Sequence, residues 1–296
     1  MKSQNISSNI KTSTLLGCHV SAAGGFYKAI ESAEELGATC IQFFGASPRQ
    51  WFAKMPSPED VEKYKDHLKK SSVQAVYLHA AYLANLASPS DETYAKSIKN
   101  LSEHLAIATM IGANGLIFHM GSGGKEITRE EAIKKIILGM KEVLKNVPGT
   151  TQLIMENSAG GGQKLGNTAK ELGEIFHAVG SPRVKVCFDT AHAFEAGAIT
   201  AYDPPTIKKT FDEWDEYIGL ENIVTIHTND SKTACNSNHD RHENLGEGHI
   251  GIDGFRALAA EKRLHHASWI LEVPGFDNNG SDLKNMAILK DCFSAT

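Results

Sequence analysis

Thirteen of the 296 residues are histidines, and their placement along the chain points to metal chemistry. Short apolar runs that read as β-strands end, in chain order, in His19, Phe44, His79, His119, Glu156, Asp189, His227 and Glu272. A buried apolar strand ordinarily continues with another Val or Ile, because an unpartnered imidazole or carboxylate is costly to bury. Here seven of the eight ends carry an imidazole or a carboxylate. Two further groupings lie just beyond strand ends. In Asp189-Thr190-Ala191-His192 acid and imidazole are three residues apart, and in Asp240-Arg241-His242 they alternate, a spacing that lets an extended loop grip one ion. Such side chains repel one another when brought together, so they need cations between them. Mixed nitrogen and oxygen donors without thiolates suit Zn²⁺, with Mn²⁺ or Fe²⁺ as substitutes, rather than Ca²⁺ or Mg²⁺. Two or three such ions side by side are suited to hydrolysing a phosphate ester, because they stabilise both the attacking and the departing oxygen.

The elements that must bring these residues together follow from hydrophobic periodicity. Predicted strands cover Leu15–His19, Cys40–Phe44, Ala75–His79, Gly115–His119, Gln152–Glu156, Lys185–Asp189, Asn222–His227 and Ser268–Glu272. Amphipathic helical patterns lie between them at Gly25–Leu36, Pro58–Lys70, Asp91–Ile111, Arg129–Leu144, Thr168–Val179, Pro205–Tyr217 and Asp253–Glu261. Ser57-Pro58-Glu59 and Thr128-Arg129-Glu130-Glu131 supply good N-terminal caps. Eight strand–helix units predict an α/β fold, a (β/α)₈ TIM barrel, which collects functional groups at the C-terminal ends of its strands. The competing doubly wound sheet lacks its fingerprint: Gly160-Gly161-Gly162 follows the fifth strand without GxGxxG spacing or a Walker lysine. Residues 1–14 are polar and read as a flexible extension, and residues 15–296 as one catalytic barrel domain.

Composition sets wider bounds. With 41% hydrophobic and 22% charged residues the chain is of ordinary globular composition. No apolar run approaches the length that spans a bilayer, and the N-terminus has no apolar signal core, so a cytoplasmic location is expected. The five cysteines form no CxxC pair and read as reduced thiols. A formal net charge of −5 argues mildly against a nucleic-acid partner. Bound divalent cations would offset that sum and concentrate positive charge at the strand ends.

Nine stretches, in order and in register with the predicted strands, resemble the endonuclease IV family of apurinic/apyrimidinic (AP) endonucleases. They are Gly17–Gly25, Arg49-Gln50-Trp51, His79–Leu86, Phe118–Ser122, Met155–Gly160, Phe188–Phe194, His227–Lys232, Asp240–Gly251 and Ile270–Glu272. The resemblance runs from about Leu15 to the C-terminus. It implies a trinuclear zinc site: one ion on His79, His119 and Glu156, a second on Glu156, Asp189, His227 and Glu272, a third on His192, Asp240 and His242. It further implies hydrolysis of the phosphodiester 5′ to an abasic site in duplex DNA, removal of 3′-blocking groups, and a role in base excision repair. Glu156 and Glu272 would be the catalytic carboxylates. Arg49, Tyr82 and Leu83, with Gln50 beside them, would contact DNA and turn the lesion out of the helix. No obligate protein partner or membrane is implied, and a monomer is expected. Met120 and Ala80-Ala81 depart from the family's usual residues without removing a ligand.

The remaining histidines read otherwise. His19 has no ligand slot left and is expected to hydrogen-bond a ligand. His239 and His249 flank the third set as non-ligands, and His67, His104, His177, His265 and His266 read as solvated helix residues. Two rival functions share parts of this pattern. A sugar isomerase or epimerase would use Glu156, Asp189, His227 and Glu272 but needs neither the third triad nor the Arg49-Gln50-Trp51 loop. A silent lesion-binding protein should have lost a ligand, and none is missing.

Overall fold

Eight parallel strands close into a barrel in a computed structural model that describes residues 14–294. The barrel strands are β1 (Leu15–His19), β2 (Cys40–Phe44), β3 (Ala75–His79), β4 (Gly115–His119), β5 (Gln152–Glu156), β6 (Val184–Asp189), β7 (Ile223–His227) and β10 (Ser268–Leu271). Two short strands, β8 (Asp230–Ser231) and β9 (His242–Glu243), pair as an antiparallel ribbon beyond β7. Among the described residues the helices are α1 (Phe26–Leu36), α2 (Pro58–Lys70), α3 (Asp91–Ile111), α4 (Arg129–Asn146), α5 (Ala169–Val179), α6 (Thr190–Glu195), α7 (Pro204–Tyr217), α8 (Gly251–Ala259) and α9 (Leu283–Ser294). The expected extension over residues 1–14 lies, apart from Thr14, outside the described residues. No helix among the described residues is long and apolar enough to cross a membrane.

Local chemistry explains the helix boundaries. The Ser57, Ser90, Thr128, Thr168 and Asp203 side chains each accept a backbone N–H of the first turn, and Thr128 with Glu131 closes a reciprocal capping box. The two helices not foreseen, α6 and α9, have weak sequence signals. One is six residues long; the other buries Asn285 and exposes Leu283, so its apolar stripe is broken.

Alternation along the strands separates two cores. One face packs beneath the helices in a continuous apolar cluster. The other face fills the barrel: Cys40, Tyr77, Ile117, Ile154, Cys187 and Ile270 form a cluster of their own. Each of these six lies two residues before Gln42, His79, His119, Glu156, Asp189 and Glu272, so the polar residues form the next layer toward the C-terminal mouth. Strand β2 corrects one expectation. The ring receives Gln42 from this strand, paired with His19 across β1, whereas Phe44 at its end sits one step farther out, opposite His79 on β3.

A second correction concerns His104. It is buried on α3 instead of solvated, with neither ring nitrogen hydrogen-bonded, and burial lowers its pKa to about 4, so the imidazole stays neutral.

Candidate metal centre

The barrel register brings Glu156 to the centre of four imidazoles. Its carboxylate oxygens lie 3.1 Å from His79 Nε2, 3.6 Å from His119 Nε2, 3.2 Å from His192 Nδ1 and 3.0 Å from His227 Nδ1. Burial alone would raise the Glu156 pKa. The neighbouring His119 and His227 rings and hydrogen bonds from His192 and His227 overcome this and hold the carboxyl well below the ordinary carboxylate range. Glu272 is likewise held low against its burial, by the neighbouring His227 ring and its hydrogen bond and by His19, whose Nδ1 lies 3.5 Å away.

Three sets of donors converge tightly enough to hold ions, with all ligand atoms of a set within 4.8 Å of one another: His79, His119 and Glu156; Glu156, Asp189, His227 and Glu272; and Asp189, His192 and His242. The first two sets have the composition implied by the family resemblance. The third gathers Asp189 with the two imidazoles. Asp240 stands beside it, Oδ1 at 3.3 Å from His192 Nε2 and 3.9 Å from His242 Nε2, with Lys164 Nζ 3.9 Å from its other oxygen.

Hydrogen bonds to backbone carbonyls orient three of the rings. A carbonyl can only accept, so the Nδ1–H groups of His79, His192 and His242 point to the carbonyls of Ala80, Asn157 and Glu272 at 2.9, 3.0 and 3.1 Å. Each Nε2 lone pair is thereby left facing the cluster, as a metal ligand requires. With carboxylate oxygens between these nitrogens and no thiol in the ring, the donor set fits zinc.

Amides beside the proposed ligands hold Asp189 and Glu272 in place. Asn157 pairs with the Asp189 backbone in both directions, at 3.0 and 2.6 Å. Asn229 donates to Asp189 Oδ2 at 2.7 Å and accepts from the Glu272 N–H at 2.7 Å. The Asp189–His192 spacing is a helix cap: Asp189 Oδ1 accepts the His192 N–H at 2.7 Å at the start of α6. Gln42 touches His19, His227 and Glu272. A glutamine inside the apolar run Cys-Ile-Gln-Phe-Phe was the available signal.

Asp230 organises the loop that follows the third set. Its buried carboxylate accepts the backbone N–H groups of Ser231, Gly246, Gly248, Ile250 and Gly251. Asp230→Asn would put an NH₂ against several donors, and is expected to cost about 3 kcal/mol of stability. Urea unfolding measures this, and an unchanged midpoint would contradict it.

A cavity of about 740 Å³ opens above the cluster, lined in part by His79, His119, His192, Asp240, His242 and Glu272. Glu156 is sealed beneath it, whereas the Glu272 side chain keeps 17% of its surface exposed. Tyr82, 64% exposed, also lines the cavity, packed edge-on to Phe44 at 5.3 Å between ring centres. Arg49 and Gln50 are exposed on the loop after β2, and Leu83 is half-buried after β3; none of the three lines the cavity. The two loops are tied together, the Tyr82 N–H donating to the Pro48 carbonyl at 3.2 Å. Exposed Phe52 and Met55 extend the loop's apolar surface, another feature missed in the sequence.

The family model for xylose isomerase-like TIM barrels matches residues 30–292. A curated relative, probable endonuclease 4 of Halothermothrix orenii, is 36% identical over 277 residues, covering 93% of this chain and 99% of the relative. The chain belongs to the endonuclease IV family. Probable endonuclease 4 of Aquifex aeolicus agrees, at 35% identity over 94% of this chain and 98% of its own length. The crystal structure of endonuclease IV from Thermus thermophilus superposes with a TM-score of 0.84 at 32% identity, over 95% of this chain and all of that one. An endonuclease IV with its cluster at the mouth of the barrel follows the rule that barrel chemistry gathers at the strands' C-terminal ends.

Proposed function

We propose that this endonuclease IV uses residues 15–296 as one catalytic unit that hydrolyses the phosphodiester 5′ to an abasic site in duplex DNA. The products are a 3′-hydroxyl and a 5′-deoxyribose phosphate, and the same chemistry removes 3′-phosphates and 3′-blocking esters. The convergence of the ligand groups around Glu156, beneath a cavity edged by Tyr82, carries the reading. His79, His119 and Glu156 would hold one Zn²⁺, Glu156, Asp189, His227 and Glu272 a second, and His192, Asp240 and His242 a third. Bound there, divalent ions supply Lewis acidity and neutralise charge on the phosphate oxygens.

The chain's own groups perform the remaining work. Glu272, the carboxylate of the central pair that reaches the cavity, would take the proton of the attacking water. Glu156 orients the cluster from below. Attack on phosphorus leaves the water oxygen on the 5′-phosphate and breaks the P–O3′ bond, and the departing oxygen takes up a proton from solvent to become the 3′-hydroxyl while Glu272 gives its proton back to solvent. Tyr82, Leu83, Arg49 and Gln50 would contact the duplex on the side of the lesion. An abasic nucleotide has neither a pairing partner nor a stacked base to lose, so turning it toward the cavity is cheap, and deformability itself selects the substrate. A sugar isomerase would need neither the His192, Asp240 and His242 group nor the exposed Arg49 loop. The location that fits such an enzyme is the cytoplasm.

Metal analysis combined with cleavage of a duplex carrying one abasic analogue tests this. About three zinc ions per chain and a single nick 5′ to the lesion are expected. An intact duplex in the presence of metal-replete protein would overturn the reading.

A further inference from the structure

Gln42 is a fully buried amide in the middle of an apolar strand, a position where an unsatisfied polar group is strongly disfavoured. All of its side-chain hydrogen bonds go to the cluster. Its Oε1 lies 2.8 Å from His227 Nε2, and its Nε2 lies 3.0 Å from His19 Nδ1 and donates to Glu272 Oε1. The neighbours settle the direction of the amide. Turned the other way, the amide oxygen would face the Glu272 carboxylate, two acceptors with no proton between them.

That orientation bears on His227 alone among the clustered imidazoles. His79, His192 and His242 present Nε2 because backbone carbonyls hold their Nδ1–H groups. His227 is reversed: Nδ1 faces Glu156 Oε1 and Glu272 Oε2, each at 3.0 Å, and Asp189 Oδ2 at 3.7 Å. No backbone carbonyl holds its far nitrogen; the Gln42 oxygen does so instead. We infer that Gln42 is a positioning residue, which keeps the proton of His227 on Nε2, commits Nδ1 to the metal, and at the same time steers Glu272 through its amide N–H. The inference rests on the metal-centre reading above and adds to it the group that sets the geometry of the four-ligand site.

One amide thus couples two groups from neighbouring strands, His227 at the end of β7 and Glu272 just after β10, to a third strand, β2. Outer hydrogen bonds of this kind commonly tune metal affinity by about 10–100-fold when removed. Gln42→Met keeps the volume and the apolar packing while deleting both the acceptor for His227 and the donor for Glu272. Gln42→Glu retains an acceptor for His227 but sets a carboxylate against Glu272, so it should restore the His227 proton position without restoring affinity.

The test reads zinc binding and proton position, with no DNA present. Zinc affinity is measured against a competing chelator, first on the unsubstituted chain, where tight binding is expected. Its absence there would overturn both the metal-centre reading and this inference. Gln42→Met is expected to lose about 10–100-fold in affinity for one ion only, with the remaining zinc held as before. Unchanged affinity for every ion would overturn the inference and leave the metal centre standing. Nitrogen-15 imidazole spectra of the unsubstituted, zinc-loaded protein add a reading that does not depend on any variant folding. His227 is expected to carry its proton on Nε2; a proton on Nδ1 would overturn the proposal.

Discussion

Replacing Glu156 by glutamine should lower cleavage at an abasic site by roughly 10³-fold while leaving the fold intact. The substitution preserves shape and removes one charge from the point where four imidazoles meet at 3.0 to 3.6 Å. No other side chain belongs both to the His79 and His119 set and to the set of Asp189, His227 and Glu272. The neutral amide would offer one oxygen where two are shared between sets, so metal content should fall together with turnover. The barrel should still form, because its packing cluster lies a layer below and does not include Glu156, while the stabilising contribution of the ionised carboxylate is lost. The measurement is single-turnover cleavage alongside zinc content and thermal unfolding. Turnover within a few-fold of the unsubstituted enzyme would remove Glu156 from the centre of the mechanism.

The reason Glu156 could be found in the sequence is also the reason Gln42 was not. Strand ends are legible because apolar runs stop abruptly at polar residues, and in a barrel those stops fall on one ring. Five of the eight predicted strands agree residue for residue with those observed, and the others differ by one residue at an end. The assumption that every strand contributes its last residue fails at β2. Its pairing with β1 aligns Gln42 with His19, and its final residue, Phe44, projects past the ring and packs edge-on to Tyr82. Register between strands is a property of the closed sheet and cannot be read from one strand. Asn157 and Asn229 were hidden for a related reason. Each closely follows a proposed ligand in the chain, Asn157 directly after Glu156 and Asn229 two residues after His227, yet each serves residues elsewhere on the ring, Asp189 in both cases and Glu272 in the second. His104 was misplaced because α3 buries a broad face, wide enough to take in an unpaired imidazole with its apolar neighbours.

Stripping the protein of divalent ions should abolish cleavage, and restoring zinc near neutral pH should release protons into the buffer. Burial alone would lower the pKa of His192 and His227. Both nevertheless lie well above the ordinary histidine value, His192 through Asp189, Asp240 and Glu156, His227 through Cys187, Glu272 and Glu156. Without cations these imidazoles take protons that offset the buried carboxylates. Their stabilising contribution is complete below the unfolded value of about 6.5 and is lost as pH rises through the raised folded values. Glu156 and Glu272, held low, act oppositely: their contribution is present above about 4.3 and is lost as pH falls through the depressed folded values. Stripped protein should therefore unfold more readily as pH rises above neutrality. Zinc, which competes with those protons for the same nitrogens, should bind more tightly there and raise the unfolding temperature more at pH 8 than at pH 6, two conditions about one unit either side of neutrality. Calorimetric titration in buffers of different ionisation enthalpy counts the protons released. Binding heats independent of the buffer would show that zinc displaces no imidazole proton, and would contradict the assignment of His192 and His227 as ligands.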